Sequence, residues 1–122
     1  MPKVETIEQF IAMVESNEHD KAIEKFYTID ASIQENQSEP RVGRDNLVAN
    51  EKSTLLKVKS SVSKCIRPYF INDDHVVIQW YFRFEWKNGT ISEIEEIAWQ
   101  NWHGERINSE KFFYDPKQFT SI

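Results

Sequence analysis

Apolar residues recur at helical spacing through the first half of the chain. One stripe predicts a helix over residues 6–16, with Thr6 and Gln9 spaced as a capping box; it consists of Ile7, Phe10, Ile11 and Val14. A second stripe predicts a helix that Asn17 caps and that ends near Thr28; it consists of Ala22, Ile23, Phe26 and Tyr27. A third helix is predicted from Gly43 to about Lys59, on Leu47, Val48, Leu55 and Val58.

The second half of the chain alternates in the manner of β-strands. Residues 75–86 are the clearest case, because one parity is apolar throughout: Val76, Ile78, Trp80, Phe82, Phe84 and Trp86. Asn88-Gly89 predicts a type I′ reversal into a strand over 91–102, and His103-Gly104 predicts a second reversal into a strand over 106–114.

Three shorter signals complete the pattern. Residues 62–71 favour a strand, which Pro68 assigns to an edge, a bulge or an end. Residues 30–36 alternate as a short strand, and the residues after Pro116 are expected to be a loose tail. Together the elements predict an α+β fold, in which three N-terminal helices cover one face of a mostly antiparallel sheet. With 122 residues, one domain over 1–122 is expected.

Composition narrows the possible function classes. The net charge is −5 and no Lys/Arg cluster exceeds two adjacent residues, which argues against a nucleic-acid partner. No apolar stretch is long enough to cross a membrane, and the charged N-terminus does not resemble a signal peptide. Cys65 is the single cysteine and is expected to be half-buried in a strand. It excludes an intrachain disulfide and favours the reducing cytoplasm.

The three histidines carry little signal for chemistry. His19 is expected in the first turn of a helix, and His75 and His103 lie in predicted turns, so all three are predicted to be solvated. No pair of them has metal-binding spacing, and no phosphate-cradling glycine loop is present. We therefore expect no metal and no cofactor.

Four glutamates stand where the pattern calls for an apolar residue. Glu51 interrupts the stripe of the third helix between Leu47 and Leu55, and Glu35 shares a strand face with Ala31 and Ile33. Glu96 shares its face with Ile94, Ala98, Gln100 and Trp102. Glu110 shares its face with Phe112 and Tyr114.

A carboxylate in an apolar setting must pair with a cation, accept several hydrogen bonds or take up a proton. A carboxyl group with a raised pKa can transfer protons near neutral pH. The alternative is that each glutamate lies at the rim of its stripe, in water or paired with an arginine. Between these, we predict that at least one of the four lines a polar cavity.

The opposite parity of the 91–102 strand is also partly apolar. Ile91, Ile97 and Trp99 would form a patch on the outer side of the sheet. An apolar patch of this kind predicts a subunit interface, and hence a homodimer.

Several sequence motifs resemble the nuclear transport factor 2-like superfamily, in particular its SnoaL-like branch, from residue 6 to about 117. They are Phe26-Tyr-Thr-Ile-Asp-Ala31, Gly43-Arg-Asp45, Glu96-Ile-Ala-Trp-Gln-Asn-Trp-His-Gly-Glu-Arg-Ile107 and Glu110-Lys-Phe-Phe-Tyr-Asp-Pro116. The resemblance implies a cone of helices on a strongly curved sheet, a pocket inside the cone, and a homodimer joined through the convex face. The superfamily includes ketosteroid isomerase, polyketide cyclases and non-catalytic domains, so the fold alone does not select an activity.

Matching this chain to ketosteroid isomerase implies roles for individual positions. The proton-shuttling carboxylate of that enzyme matches Glu35, whereas its oxyanion-hole tyrosine matches Phe10, which has no hydroxyl. Its protonated aspartate falls near Ala98 or, with a shifted register, Glu96. These departures argue against steroid isomerisation itself.

The leading hypothesis is a cytoplasmic SnoaL-like homodimer that binds a small, mostly apolar, carbonyl-bearing metabolite and transfers a proton next to its carbonyl. Glu35 is the expected proton acceptor, and Glu51, Glu96 or Glu110 is the donor or hydrogen-bonding partner. The expected ligand-binding residues are Phe10, Tyr27, Trp80, Phe84, Trp86, Gln100, Trp102 and Tyr114. The alternatives are a non-catalytic ligand-binding or dimerisation module of the same fold, and a ligand carrier.

Overall fold

The computed structural model describes residues 1–119. The helices are α1 (Val4–Glu15), α2 (His19–Phe26) and α3 (Arg44–Leu55). The strands are β1 (Tyr27–Glu35), β2 (Arg41–Val42), β3 (Val58–Asn72), β4 (His75–Trp86), β5 (Ile91–His103) and β6 (Arg106–Phe113). A short 3-10 helix follows over Pro116–Phe119. Within this part of the chain, no helix has both the length and the apolar character needed to cross a membrane.

The strands form one six-stranded sheet in the order β2-β1-β6-β5-β4-β3. Strands β3 to β6 are an antiparallel meander, and β1 runs parallel to β6. The sheet curves around the three helices without closing, so that β2 and β3 are its edges. The predicted α+β class, with three helices on one face of a curved, mostly antiparallel sheet, is confirmed.

Alternating side chains of the long strands define a concave face that carries the core. On β4, Val76 to Phe84 are buried at every second position, and on β5 Ile94, Ala98 and Trp102 are buried in the same way. The helices contribute most of their predicted stripes to the same core cluster, among them Phe10 and Leu47. Leu55 is outside that cluster, and Tyr27 and Val58 reach it from β1 and β3 rather than from helices. The parity of both strands is therefore as predicted, and the concave face is where a site can form.

Both predicted helix caps are wrong. α1 begins at Val4 after Lys3, and the Thr6 hydroxyl donates to Glu105 across the fold rather than capping the helix. α2 begins at His19 after Glu18, with no side-chain cap. Asn17 instead adopts φ 67°, and its amide contacts the Ser61 carbonyl and the Ser63 hydroxyl of β3. The side chains of Thr6 and Asn17, which the sequence pattern predicts to cap helices, make hydrogen bonds to distant parts of the chain instead.

Further boundaries and one turn differ from the sequence analysis. α2 ends at Phe26 rather than near Thr28, because Tyr27 already begins β1, which was expected only from Asp30. α3 ends at Leu55 rather than Lys59, because Val58 already pairs with Trp86 at the start of β3. At the 88–89 reversal only Gly89 has a positive φ, of 90°, and the Trp86 amide donates to the Thr90 carbonyl. The reversal itself is confirmed, but the type I′ geometry is wrong, since that turn needs positive φ at both central residues.

The prediction for Pro68 is confirmed. It lies within the edge strand β3, where pairing with β4 is irregular between Ile66 and Phe70. The loose tail after Pro116 is wrong for residues 116–119, because the Gln118 side chain exchanges hydrogen bonds with the Glu95 backbone. Residues 120–122 of that tail lie outside the described residues.

Candidate ligand cavity and its carboxyl groups

A cavity of about 470 Å³ lies between the helices and the concave face of the sheet. Its volume is within the range of small-molecule sites. Asn50, Lys57 and Phe119 are exposed members of its lining, and so they mark where it meets solvent. The more enclosed lining combines apolar rings with titratable groups, and both sets come from widely separated parts of the sequence.

One wall is a ladder of aromatic rings on β4. Trp80, Phe82, Phe84 and Trp86 project at every second position, with successive ring centroids 5.6, 5.8 and 5.4 Å apart. The Trp86 indole N–H donates to the Ser92 hydroxyl at 2.8 Å, which fixes the last ring. Phe10 of α1 packs edge-on against Trp80 from the opposite side. The rings give the cavity a rigid apolar surface.

All four out-of-pattern glutamates line this cavity, although they come from four different elements. Glu35 ends β1, Glu51 lies on α3, and Glu96 and Glu110 lie on β5 and β6. Strand pairing explains why Glu96 and Glu110 reach the same cavity. Glu110 pairs with the buried residues Ile33 and Gln100, and Glu96 pairs with the buried Trp80, so both glutamates project from the concave face. The four carboxyl groups nevertheless have different surroundings.

Glu110 is the most deeply buried, with 3% of its surface exposed. The Tyr27 hydroxyl donates to one of its oxygens, and the Gln100 amide donates to the other at 2.6 Å. The Trp102 indole, which can only donate, binds the Gln100 carbonyl at 3.0 Å and thereby sets the orientation of that amide. Burial raises the pKa of Glu110 to about 7, against the lowering effect of its two donors.

Glu96 is mostly buried, and within residues 1–119 its carboxyl group has no hydrogen-bond or ion-pair partner. Burial raises the pKa of Glu96 to about 8, and the negative charges of Glu110, Glu35 and Glu51 add to this rise. Near neutral pH this carboxyl group can therefore either hold or release a proton into the cavity.

Glu35 has strong partners at the cavity wall. Its carboxylate binds the Arg41 guanidinium at 2.7 Å and accepts a hydrogen bond from the Tyr114 hydroxyl at 3.1 Å. Burial, and then the Glu35 charge, raise the pKa of Tyr114 to about 12, so that hydroxyl stays a donor. Glu35 is thus paired with an arginine, which was the alternative to a proton-transferring role in the sequence analysis.

His19 is the functional candidate that the sequence analysis missed. Rather than being solvated, it lines the cavity, packs against Phe82, and lies with Nδ1 3.5 Å from the Glu51 carboxylate. Its Nε2 is 2.8 Å from the Ser63 hydroxyl, which itself donates to the Asn17 carbonyl oxygen at 2.7 Å. Ser63 must then accept a hydrogen bond from Nε2–H, which leaves Nδ1 facing Glu51.

The ligand-binding predictions divide into two groups. Five of the residues line the cavity: Phe10, Tyr27, Trp80, Phe84 and Trp86. Gln100 and Trp102 do not line it, because they are fully buried behind Glu110 and position it through the donor chain above. Tyr114 is also outside the lining and acts on Glu35, while its ring packs against Phe119. His75 and His103 are exposed, as expected, and Cys65 is buried in β3.

Metal-binding geometry is absent from the described part of the chain. Across residues 1–119, no three His, Cys, Asp or Glu side chains are grouped closely enough to hold one ion. The carboxyl groups are spread around the cavity wall instead, and they face its interior separately.

Comparisons with solved structures define the fold. A Catenulispora acidiphila protein with a ketosteroid isomerase-like fold, crystallised with trimethylamine, aligns with a TM-score of 0.79 at 15% identity, over 95% of this chain and 89% of that one. A protein assigned as a SnoaL-like polyketide cyclase from Jannaschia sp. CCS1 aligns at 0.76 and 11% identity, over 92% and 84%. TerC, co-crystallised with polyporic acid, aligns at 0.77 and 11% identity, over 95% and 93%.

The chain therefore has the nuclear transport factor 2-like fold, shared with SnoaL-like and ketosteroid isomerase-like proteins. The superfamily resemblance drawn from the sequence motifs is confirmed at the level of the fold. No family model and no curated protein sequence matches the chain. The activity must accordingly be argued from the cavity itself.

Proposed function

We propose that this protein binds one small carbonyl-bearing molecule in the cone cavity and that Glu96 transfers a proton next to the carbonyl. The observation that carries the proposal is the Glu96 carboxyl group, which faces an aromatic cavity, has no partner among residues 1–119, and has a pKa raised to about 8. A general acid or base works best when its pKa lies near the operating pH. Structural neighbours crystallised with trimethylamine and with polyporic acid support small-molecule binding in this fold.

The proposed step needs no cofactor. The bond between a ligand carbon and its hydrogen breaks next to the carbonyl, the proton passes to the Glu96 carboxylate, and the electron pair forms an enolate. Return of the proton to another atom completes an isomerisation, and the same enolate serves a cyclisation or a dehydration. The aromatic wall excludes water and so protects the enolate.

The acceptor role assigned to Glu35 from the superfamily resemblance moves to Glu96 in this proposal. The Glu35 carboxylate is held by Arg41 and Tyr114, which stabilise its charged form. We assign Glu35 to orienting the ligand through that hydrogen-bonded group. Glu110, whose pKa is raised to about 7, provides a further proton-holding group on the cavity wall.

Deuterium exchange tests the proposal without knowledge of the full reaction. The protein is incubated with a panel of cyclic ketones in D₂O, and exchange next to the carbonyl is followed by NMR. Glu96→Gln is expected to lower the catalysed rate by at least about 100-fold. Glu95→Gln, the neighbouring exposed position on the outer face of β5, is the matched control and should leave the rate unchanged. Absence of catalysed exchange, or full exchange by Glu96→Gln, would contradict catalysis by Glu96.

A non-catalytic ligand-binding module is the second candidate. It is favoured by the fixed partners of Glu35 and Glu110, which place two of the four carboxyl groups in structural roles. Under this alternative, the protein retains a co-purified ligand through repeated chromatography and no ketone exchanges. The lone buried Cys65 is in keeping with a reducing compartment, and we propose the cytoplasm.

We also propose a homodimer joined through the outer face of the sheet. Trp99 is 50% exposed and Phe113 42%, and cross-strand pairing places them beside Val77 and Ile97 in one apolar patch. Trp99→Asp is expected to convert a dimer to a monomer in sedimentation velocity, because it would bury a charge in that patch. If the wild-type protein sediments as a monomer at high concentration, the proposed dimer is refuted.

A further inference from the structure

The charge of the cavity is the feature that the proposed function leaves unused. Among the residues that the structure describes, four glutamates line it, against Arg41, Lys57 and the imidazole of His19. Arg41 is already ion-paired with Glu35, and Lys57 is exposed at the opening. Glu96 has no cationic partner within residues 1–119, and Glu51 has only His19. Once Glu96 and Glu110 have lost their protons, above about pH 8, an empty cavity therefore presents more negative than positive charge to a ligand.

The aromatic wall is the second, independent feature. Trp80 is the cross-strand partner of Glu96, so that a carboxyl group and an indole lie side by side on the concave face. Phe82, Phe84 and Phe10 extend the ring surface around them. Trp80, Phe82 and Phe84 stack on one another with interplanar angles of 18° and 16°, and the apolar surface that they offer the cavity suits the methyl groups of a quaternary ammonium. Such a surface beside a carboxylate is a chemically suited environment for an organic cation.

We infer that the cavity selects an organic cation, whose ammonium group lies against the Trp80–Phe82–Phe84 rings and is neutralised by Glu96 and Glu51. The inference rests on the proposed small-molecule function and names the ligand class. The volume of about 470 Å³ leaves room for an organic body that carries the ammonium group. A neutral apolar ligand would leave Glu96 without a partner, and an anion would meet like charges.

Cation binding and the protonation of Glu96 are linked in this arrangement. A cation beside Glu96 stabilises its carboxylate and so lowers its pKa, which raises the share of the ionised form but makes that carboxylate a weaker proton acceptor. Binding of a permanently charged ligand should therefore release protons and should strengthen as the pH rises from about 6 to about 9. The charged and titratable groups that surround Glu96, from every element packed around the cavity, are Tyr27, Glu35, Arg41, His19, Glu51, Lys57, Glu110 and Tyr114.

The test compares two probes of nearly equal shape on the full chain. Choline carries a quaternary ammonium, and 3,3-dimethyl-1-butanol replaces its nitrogen by carbon. Binding is followed by NMR shifts of the cavity tryptophan indoles. At about pH 9 we expect choline to bind at least tenfold more tightly than the alcohol, and this ratio should shrink at about pH 6. Glu96→Gln should remove most of the preference by weakening the binding of choline, while Glu95→Gln should behave as wild type.

Equal or tighter binding of the alcohol overturns the inference, as does the absence of any choline-induced shift in the folded protein. A preference for choline that survives in Glu96→Gln assigns the cation elsewhere and overturns the role of Glu96. These failures are separable from failure of the proposed function. Ketone exchange that depends on Glu96, without choline binding, refutes only the ligand class. Choline binding without exchange refutes only the catalysis.

Discussion

Raising the pH from about 5 to about 9 is expected to lower the free energy of unfolding of the wild-type protein by several kcal/mol. The folded-state pKa values of Glu96 and Glu110 are raised to about 8 and about 7. The unfolded chain loses these two protons near pH 4.5, so the folded state binds more protons between that value and pH 8. Stability is thus fully present at the acidic end of this window and is lost as the pH rises.

Glu96→Gln separates the contributions of the two carboxyl groups. The variant should lose the decline above about pH 7, which belongs to Glu96 alone and is worth about 1–2 kcal/mol. It should also lose about half of the decline below pH 7, where both carboxyl groups hold an extra proton in the folded state, and keep the half that belongs to Glu110. Urea unfolding at a series of pH values measures this, with Glu95→Gln as the control that follows wild type. A wild-type stability that is flat or rises over the window would contradict the raised pKa values. The Glu8–Arg67 pair changes stability only below this pH range, since the pKa of Glu8 is lowered to about 2.

Glu110→Ala is expected to destabilise the protein by about 3 kcal/mol at about pH 6. The substitution leaves the Tyr27 hydroxyl and the Gln100 amide without their acceptor in a fully buried position. Gln100 cannot turn its amide to compensate, because its carbonyl is bound by the donor-only indole of Trp102. Orphaned buried donors and the volume lost from the core both lower stability.

The control for Glu110 is a smaller change at the same site. Glu110→Gln keeps an acceptor for Tyr27 and sets an amide donor against Gln100, so about half of the loss is expected. Both variants are measured by urea unfolding near pH 6, where wild-type Glu110 largely holds its proton. A Glu110→Ala protein within about 0.5 kcal/mol of wild type would show that the donor chain contributes little to the fold.

Residue periodicity predicted the parts of this molecule that depend on a single element. The parity of β4 and β5 follows from their alternation, and four breaks in the apolar pattern identified the carboxyl groups that line the cavity. An acidic residue at a core position is informative because burying it is costly unless the surroundings are built for it. The sequence therefore predicted that acidic side chains face a cavity, but it missed His19 and wrongly placed Gln100, Trp102 and Tyr114 in the lining.

The partners of those residues could not be predicted in the same way, since they lie far apart in the chain. Ser63, which orients His19, is 44 positions away from it, and Tyr27 is 83 positions from Glu110. Asn17 has the composition of a helix cap but makes tertiary hydrogen bonds instead. Pairing decides whether a carboxylate is held in place, as in Glu35, or left open to a ligand, as in Glu96, and pairing is a property of the fold.

The central claim is that Glu96 holds its proton near neutral pH inside a ligand cavity. Its most direct test is an NMR titration of the glutamate side-chain carboxyl carbons, with Glu96 and Glu110 assigned from the Glu96→Gln and Glu110→Gln variants. We expect the titration midpoint, the pH at which half of the carboxyl groups are ionised, to be about 8 for Glu96 and about 7 for Glu110. A Glu96 midpoint of about 4–5, as for an exposed glutamate, would contradict it.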